Sequence, residues 1–174
     1  CKGLEKVALR LLDIGVADVD ADHIANGTTP LFWACNKRLE LVALRLLDTG
    51  AVDVDAIDTT NGTTPLFWAC NKRLSVVALR LLGTGAVDVD AKYTRNGTTP
   101  LWQACSTGLE DVVLRLLDIG VADVDAKNTH DGTTLFWCAC VTGLETVALR
   151  LLDTGIVDVD VASSNNFHCG IPAL

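Results

Sequence analysis

One phrase recurs along this chain at a fixed interval, and that interval decides what the chain can fold into. Asn26-Gly27-Thr28-Thr29-Pro30-Leu31 returns at Asn61 to Leu66 and again at Asn96 to Leu101, each copy 35 residues after the last. A degraded copy follows as Asp131-Gly132-Thr133-Thr134-Leu135-Phe136. A second phrase, Val42-Ala43-Leu44-Arg45-Leu46-Leu47, keeps the same register at Val7, Val77, Val112 and Val147. A period of this length marks a stacked-repeat architecture rather than one irregular globule.

Each unit reads as two short helices and an extended link. Thr28 or Thr29 is placed to cap a first helix, and Pro30 suits its first turn, where no amide donor is needed. Leu31, Ala34 and Cys35 then fall on one apolar stripe. That helix has about two turns and cannot stand alone. A turn is expected at Arg38, where the later copies carry Gly108 and Gly143, residues suited to a left-handed cap. Leu39 to Asp48 forms a second helix burying Leu39, Val42, Ala43, Leu46 and Leu47, and Gly50 ends it. Ala51 to Ala56 alternates small apolar and acidic residues, an extended pattern leading into a finger closed by the next Asn-Gly turn. A unit this small buries its apolar faces only against neighbours, so the expected product is a mainly α solenoid.

The run Gly62-Thr63-Thr64-Pro65-Leu66, with Ala69, Val77, Leu81-Leu82, Gly85-Ala86, Asp88-Val89 and Ala91, resembles the ankyrin repeat. The resemblance implies a helix-turn-helix solenoid with hairpin fingers: a partial repeat at 1–26, repeats at 27–61, 62–96, 97–131 and 132–166, and a degenerate tail at 167–174, all one continuous domain. The unit is two residues longer than the usual 33, with extra residues expected at Val52 and at the finger tip. Phe32, Phe67, Trp102 and Trp137 stand where the family usually has histidine. Leu135 replaces the proline, and Arg38 and Arg73 replace the glycine between helices. Finger length and stacking angle are the details these departures should alter.

Hydrophobic residues make up 49% of the chain and aromatic ones only 5%, so aliphatic packing must build the core. The apolar runs are cut by charge too often to reach the roughly 20 residues of a membrane span. A net charge of -8 sets a penalty on binding phosphate backbones, so no nucleic-acid partner and no membrane insertion are expected. The first residues show no charged-then-apolar leader, and methionine is absent. The chain is therefore expected to be part of a longer or processed protein, intracellular and cytoplasmic, with further repeats or a partner covering the apolar face of Leu4, Val7, Leu11 and Leu12.

The residues that could carry chemistry have plainer roles available. Cys35, Cys70, Cys105 and Cys140 recur at the repeat spacing, where the resemblance implies a small buried alanine. Stacked helices about 10 Å apart cannot bring their α-carbons within the roughly 7 Å a disulfide needs. Zinc binding by Cys138, Cys140, His168 and Cys169 is disfavoured, because residues two apart on a helix point away from each other. The pairs Asp53/Asp55 and Asp88/Asp90, like Asp18/Asp20, Asp123/Asp125 and Asp158/Asp160, lack the glycines and further oxygens of a calcium loop. The resemblance implies that they bond backbone groups in the fingers. Arg10, Arg45, Arg80, Arg115 and Arg150 are expected to form a solvated face. All but Arg80 have an aspartate three residues on (Asp13, Asp48, Asp118, Asp153), close enough for pairing within the helix. Trp33, Trp68 and Trp137, read as one column, are expected to pack between repeats rather than form an exposed stripe. No catalytic constellation or cofactor motif appears, so the chain is read as non-enzymatic.

Variation among the repeats falls at the finger tips: Asp22-His23-Ile24-Ala25, Ile57-Asp58-Thr59-Thr60, Lys92-Tyr93-Thr94-Arg95 and Lys127-Asn128-Thr129-His130. A uniform scaffold with differing tips suits recognition, since rigidly held loops are where function tends to sit. The resemblance implies that the first-helix surface and finger tips line a concave face used for protein partners. The expected contact residues are His23, Ile24, Ile57, Asp58, Lys92, Tyr93, Arg95, Lys127, Asn128 and His130 on the fingers. Asn36, Lys37, Asn71, Lys72, Ser106 and Thr107 join them on the first helices. The alternative is a structural spacer within a longer chain, in which the tips drift because nothing constrains them.

Overall fold

The computed structural model describes residues 2–13, 15, 26–120, 124 and 127–155. Among these residues are nine helices: α1 (Lys2–Asp13), α2 (Pro30–Asn36), α3 (Glu40–Thr49), α4 (Pro65–Asn71), α5 (Ser75–Thr84), α6 (Pro100–Ser106), α7 (Glu110–Ile119), α8 (Leu135–Thr142) and α9 (Glu145–Asp153). Helices α2, α4, α6 and α8 pack on one another in turn and form one layer. Helices α1, α3, α5, α7 and α9 form the other, and each first helix packs on the second helix of its own repeat.

Local chemistry explains why each first helix starts and stops where it does. The second threonine of each pair is the cap: Thr29, Thr64, Thr99 and Thr134 accept from the backbone N–H three residues on. Each helix then closes in a Schellman motif. The Arg38 amide bonds the Cys35 carbonyl at 3.1 Å and the Leu39 amide bonds the Ala34 carbonyl at 2.8 Å. The motif needs a left-handed residue; Gly108 and Gly143 supply it, whereas Arg38 and Arg73 adopt it at φ 57° and 61°.

The core lies between the two layers. Leu31, Ala34 and Cys35 are buried together with Val42, Ala43 and Leu46, and the same register repeats down the stack. Leu39 and Leu47 are only half-buried at its edge. At the N-terminal end this register changes environment. Val42 and Leu46 are 6% and 2% exposed, but their equivalents on α1, Val7 and Leu11, are 56% and 42% exposed. Helix α1 packs on α3, with Ala8, Leu9 and Leu12 against the core.

Two pairings differ from the sequence expectation. The arginines bond across repeats: Arg45 to Asp13 at 2.5 Å, Arg80 to Asp48 at 2.7 Å, and Arg150 to Asp118. Side chains on a helix lean toward its N-terminus, so the aspartate three residues ahead is poorly placed, and the stacked neighbour offers one at better reach. For Arg115 the corresponding position is Gly83. The tryptophans also divide differently. Trp33 and Trp68 share a column with Gln103 and Cys138, while Trp137 stands with Phe32, Phe67 and Trp102 one residue earlier in the repeat. Phe32 and Phe67 are the buried aromatics, each 2% exposed, whereas Trp33 is 43% exposed.

Candidate protein-interaction surface

The fingers are held by a ladder of main-chain bonds. Thr59, Thr94 and Thr129 each donate an amide to the carbonyl of Asn26, Asn61 and Asn96, the turn residue of the preceding finger, at 2.9–3.0 Å. Within one finger the Asp58 amide bonds the Thr63 carbonyl at 2.9 Å, an isolated antiparallel bridge in place of a longer hairpin strand. Gly62 sits where this ladder is tightest: its φ is +73°, and a Cβ there would meet the Lys92 carbonyl oxygen at 2.8 Å.

This ladder sorts the tip residues into two kinds. Asp58 and Asn128 occupy one register position, turned inward and 7% and 6% exposed. Their side-chain oxygens accept from the amides of Thr60 and His130. Tyr93, at the same position, is half-buried with its ring 5.4 Å from that of Phe67. These three hold the finger to the stack. Ile57, Lys92, Arg95, Lys127 and His130 are exposed. His23 and Ile24 lie outside the described residues, as do Asp18, Asp20, Asp123, Asp125, Asp158, Asp160, His168 and Cys169.

On the first-helix layer a second set of bonds ties each helix to the base of its finger. The Trp33 indole N–H donates to Thr28 Oγ1 at 3.0 Å, and Thr28 in turn donates to Asn26 Oδ1. Trp68 bonds Thr63 Oγ1 in the same way at 3.1 Å, and Gln103 Nε2 bonds Thr98 Oγ1 at 3.2 Å. Lys37 Nζ stands 5.2 Å from the Trp33 ring centroid and Lys72 Nζ 4.9 Å from that of Trp68. Cation–π contacts at such exposed sites contribute about 0.5–1 kcal/mol each. Asn71 Nδ2 donates to Gln103 Oε1 of the next repeat at 2.9 Å, and Asn36 is half-buried. Ser106 and Thr107 turn their hydroxyls inward: Ser106 donates to the Gln103 carbonyl, and Thr107 to the carbonyls of Gln103 and Cys70. The lysine–tryptophan pairs were not anticipated from the sequence, although Trp33 and Lys37 stand four apart on one helix face.

The remaining groups are chemically quiet. Cys35, Cys70, Cys105, Cys138 and Cys140 are thiols rather than disulfides. Burial pushes Cys35 up to about 12. Burial does the same to Cys138, with the Asp131 charge adding to it, and raises Cys70 and Cys105 as well. The aspartate pairs bond backbone: Asp53 Oδ1 accepts from the Asp55 amide, and Asp88 Oδ1 from that of Asp90, both at 2.9 Å. Asp55 reaches into the next repeat and accepts from the Asp88 amide at 2.9 Å. Desolvation raises its carboxyl; that hydrogen bond opposes the rise, and the charges of Asp88 and Asp53 add to it. Among the described residues no group of three or more His, Cys, Asp or Glu is placed to hold a metal ion. None of their helices is long and apolar enough to cross a membrane.

Capped helix pairs, Schellman turns, bonded fingers and a core shared between neighbours define a helix-turn-helix repeat solenoid. The family model for ankyrin repeats (3 copies) matches residues 2–93 and 77–163, and the chain belongs to the ankyrin repeat family. Ankyrin repeats are in general protein–protein interaction modules, and the family is typically non-enzymatic. Comparison with curated proteins found no match.

Proposed function

We propose that this chain binds a partner protein along the face formed by its first helices and finger tips. The observation that carries this reading is the fixed main chain beneath variable tips. The amides of Thr59, Thr94 and Thr129 are bonded alike, yet the exposed side chains beside them change from Ile57 to Lys92 and Lys127, and on to Arg95 and His130. A surface held this way loses little freedom on binding, so more of its contact energy appears as affinity.

Affinity capture from a cell lysate tests it. The natural chain is compared with a variant in which Ile57, Lys92, Arg95, Lys127 and His130 become serine, leaving the inward Asp58, Tyr93 and Asn128 to hold the fingers. A partner retained by the natural chain and lost by the variant is the expected result. The same captured background from both would replace this reading with that of a structural spacer, whose tips carry no contacts.

A further inference from the structure

Charge is segregated in this molecule more sharply than its net value suggests. The chain carries -8 overall, yet the first-helix segments 28–39, 63–74, 98–109 and 133–144 contain no aspartate or glutamate. Every carboxylate belongs to the second helices, the fingers or the links. Two of those segments carry cations, Lys37 and Arg38 in one and Lys72 and Arg73 in the next. Lys37 and Lys72 rest on tryptophan rings, and among the described residues neither these lysines nor Arg38 and Arg73 make an ion pair. In the second-helix layer, by contrast, Arg45, Arg80 and Arg150 are matched to Asp13, Asp48 and Asp118.

The next two repeats mark where the patch ends. At the lysine position they carry Thr107 and Thr142, whose hydroxyls are satisfied by carbonyls of their own helices. At the arginine position they carry Gly108 and Gly143. On its C-terminal side the cationic, aromatic surface is therefore bordered by neutral residues that need no counterion.

Resting on the protein-binding reading above, we propose that the faces of α2 and α4 take an extended acidic segment of the partner protein. Two of its carboxylates pair with Lys37 and Lys72, and the apolar side chains between them lie on Trp33 and Trp68. The geometry sets the spacing. Stacked helices are about 10 Å apart, and a segment extended as a polyproline II helix advances about 3.1 Å per residue. With about three residues per turn, carboxylates at positions i and i+3 of such a segment running along the stack lie on one side and meet successive lysines. A nucleic acid fits less well: its phosphates would meet four cations and then the carboxylates that dominate the rest of the surface.

A displayed library of random peptides, selected on the immobilised chain, tests the proposal. The expected result is enrichment of peptides with aspartate or glutamate three residues apart, with apolar residues between them. One such selected peptide, fluorescently labelled, should lose about tenfold in affinity for the Lys37→Gln, Lys72→Gln double variant, as two exposed ion pairs would give. The Lys37→Arg, Lys72→Arg variant should retain it, and circular dichroism of both variants should match the natural chain. Enrichment of peptides without acidic residues, with binding indifferent to Lys37 and Lys72, overturns the acidic-segment proposal and leaves the protein-binding reading intact. Failure to enrich any peptide also overturns it, and lysate capture then decides the broader reading separately. Binding of a labelled oligothymidine or of phosphatidylserine vesicles, lost in the same glutamine variant, would replace the acidic peptide by another polyanion.

Discussion

Leu81 and Leu11 occupy the same register position in the repeat, and replacing each by alanine separates what the sequence says from what the stack does. Leu81 is fully buried between the layers, whereas Leu11 is 42% exposed. Loss of a buried leucine removes its transfer energy and leaves a cavity, so Leu81→Ala is expected to cost about 2.7–5 kcal/mol. Among the described residues no first helix encloses Leu11. Its truncation removes about half of a transfer term of roughly 1.5–3 kcal/mol and leaves no closed void, which gives about 1 kcal/mol. The assay is urea unfolding followed by circular dichroism, with the slope on denaturant compared between variants to verify that the same surface unfolds. In a thermal scan the Leu81 variant should melt on the order of 10 °C lower. Equal costs at the two positions, with unchanged slopes, would refute the reasoning. They would mean that α1 is enclosed as fully as its equivalents.

Other perturbations probe the links between repeats. Gly62→Ala should destabilise more than Gly108→Ala. Both residues have positive φ, but only at Gly62 does a Cβ meet backbone, 2.8 Å from the Lys92 carbonyl oxygen. Gly108→Ala should cost about 1 kcal/mol, the conformational penalty alone, and equal melting temperatures for the two would count against the finger ladder. Native alkylation with iodoacetamide at pH 8, read by peptide mass spectrometry, should spare Cys35, Cys70, Cys105 and Cys138. Their raised thiols hold almost no thiolate there, and labelling of Cys70 at the rate of a free thiol would refute their burial. Arg80→Ala breaks an exposed pair with Asp48, so it should cost less than about 1 kcal/mol and less still in high salt. A double-mutant cycle should couple Arg80 to Asp48.

Much of this architecture is legible in the sequence because it is set by short-range chemistry. Thr64 and Pro65 announce a helix start within a few residues, and Gly108 shows by analogy that Arg73 must turn left-handed. The spacing of Leu66, Ala69 and Cys70 identifies the buried stripe. The interaction surface is only partly legible. The variable tips can be seen, but the inward turn of Asp58, Tyr93 and Asn128 depends on bonds made once the finger closes and on the Phe67 ring beneath it.

Sequence alone therefore determined the repeat, its caps, its turns and the family, since each depends on residues close together in the chain. Tertiary structure decided which partner each long side chain meets. Arg80 selects Asp48 of the preceding repeat, Asn71 reaches Gln103 of the next, and Lys72 lies on Trp68. Stacking brings positions some 32 residues apart within hydrogen-bond reach, and no local pattern records which of several chemically adequate partners will be nearest.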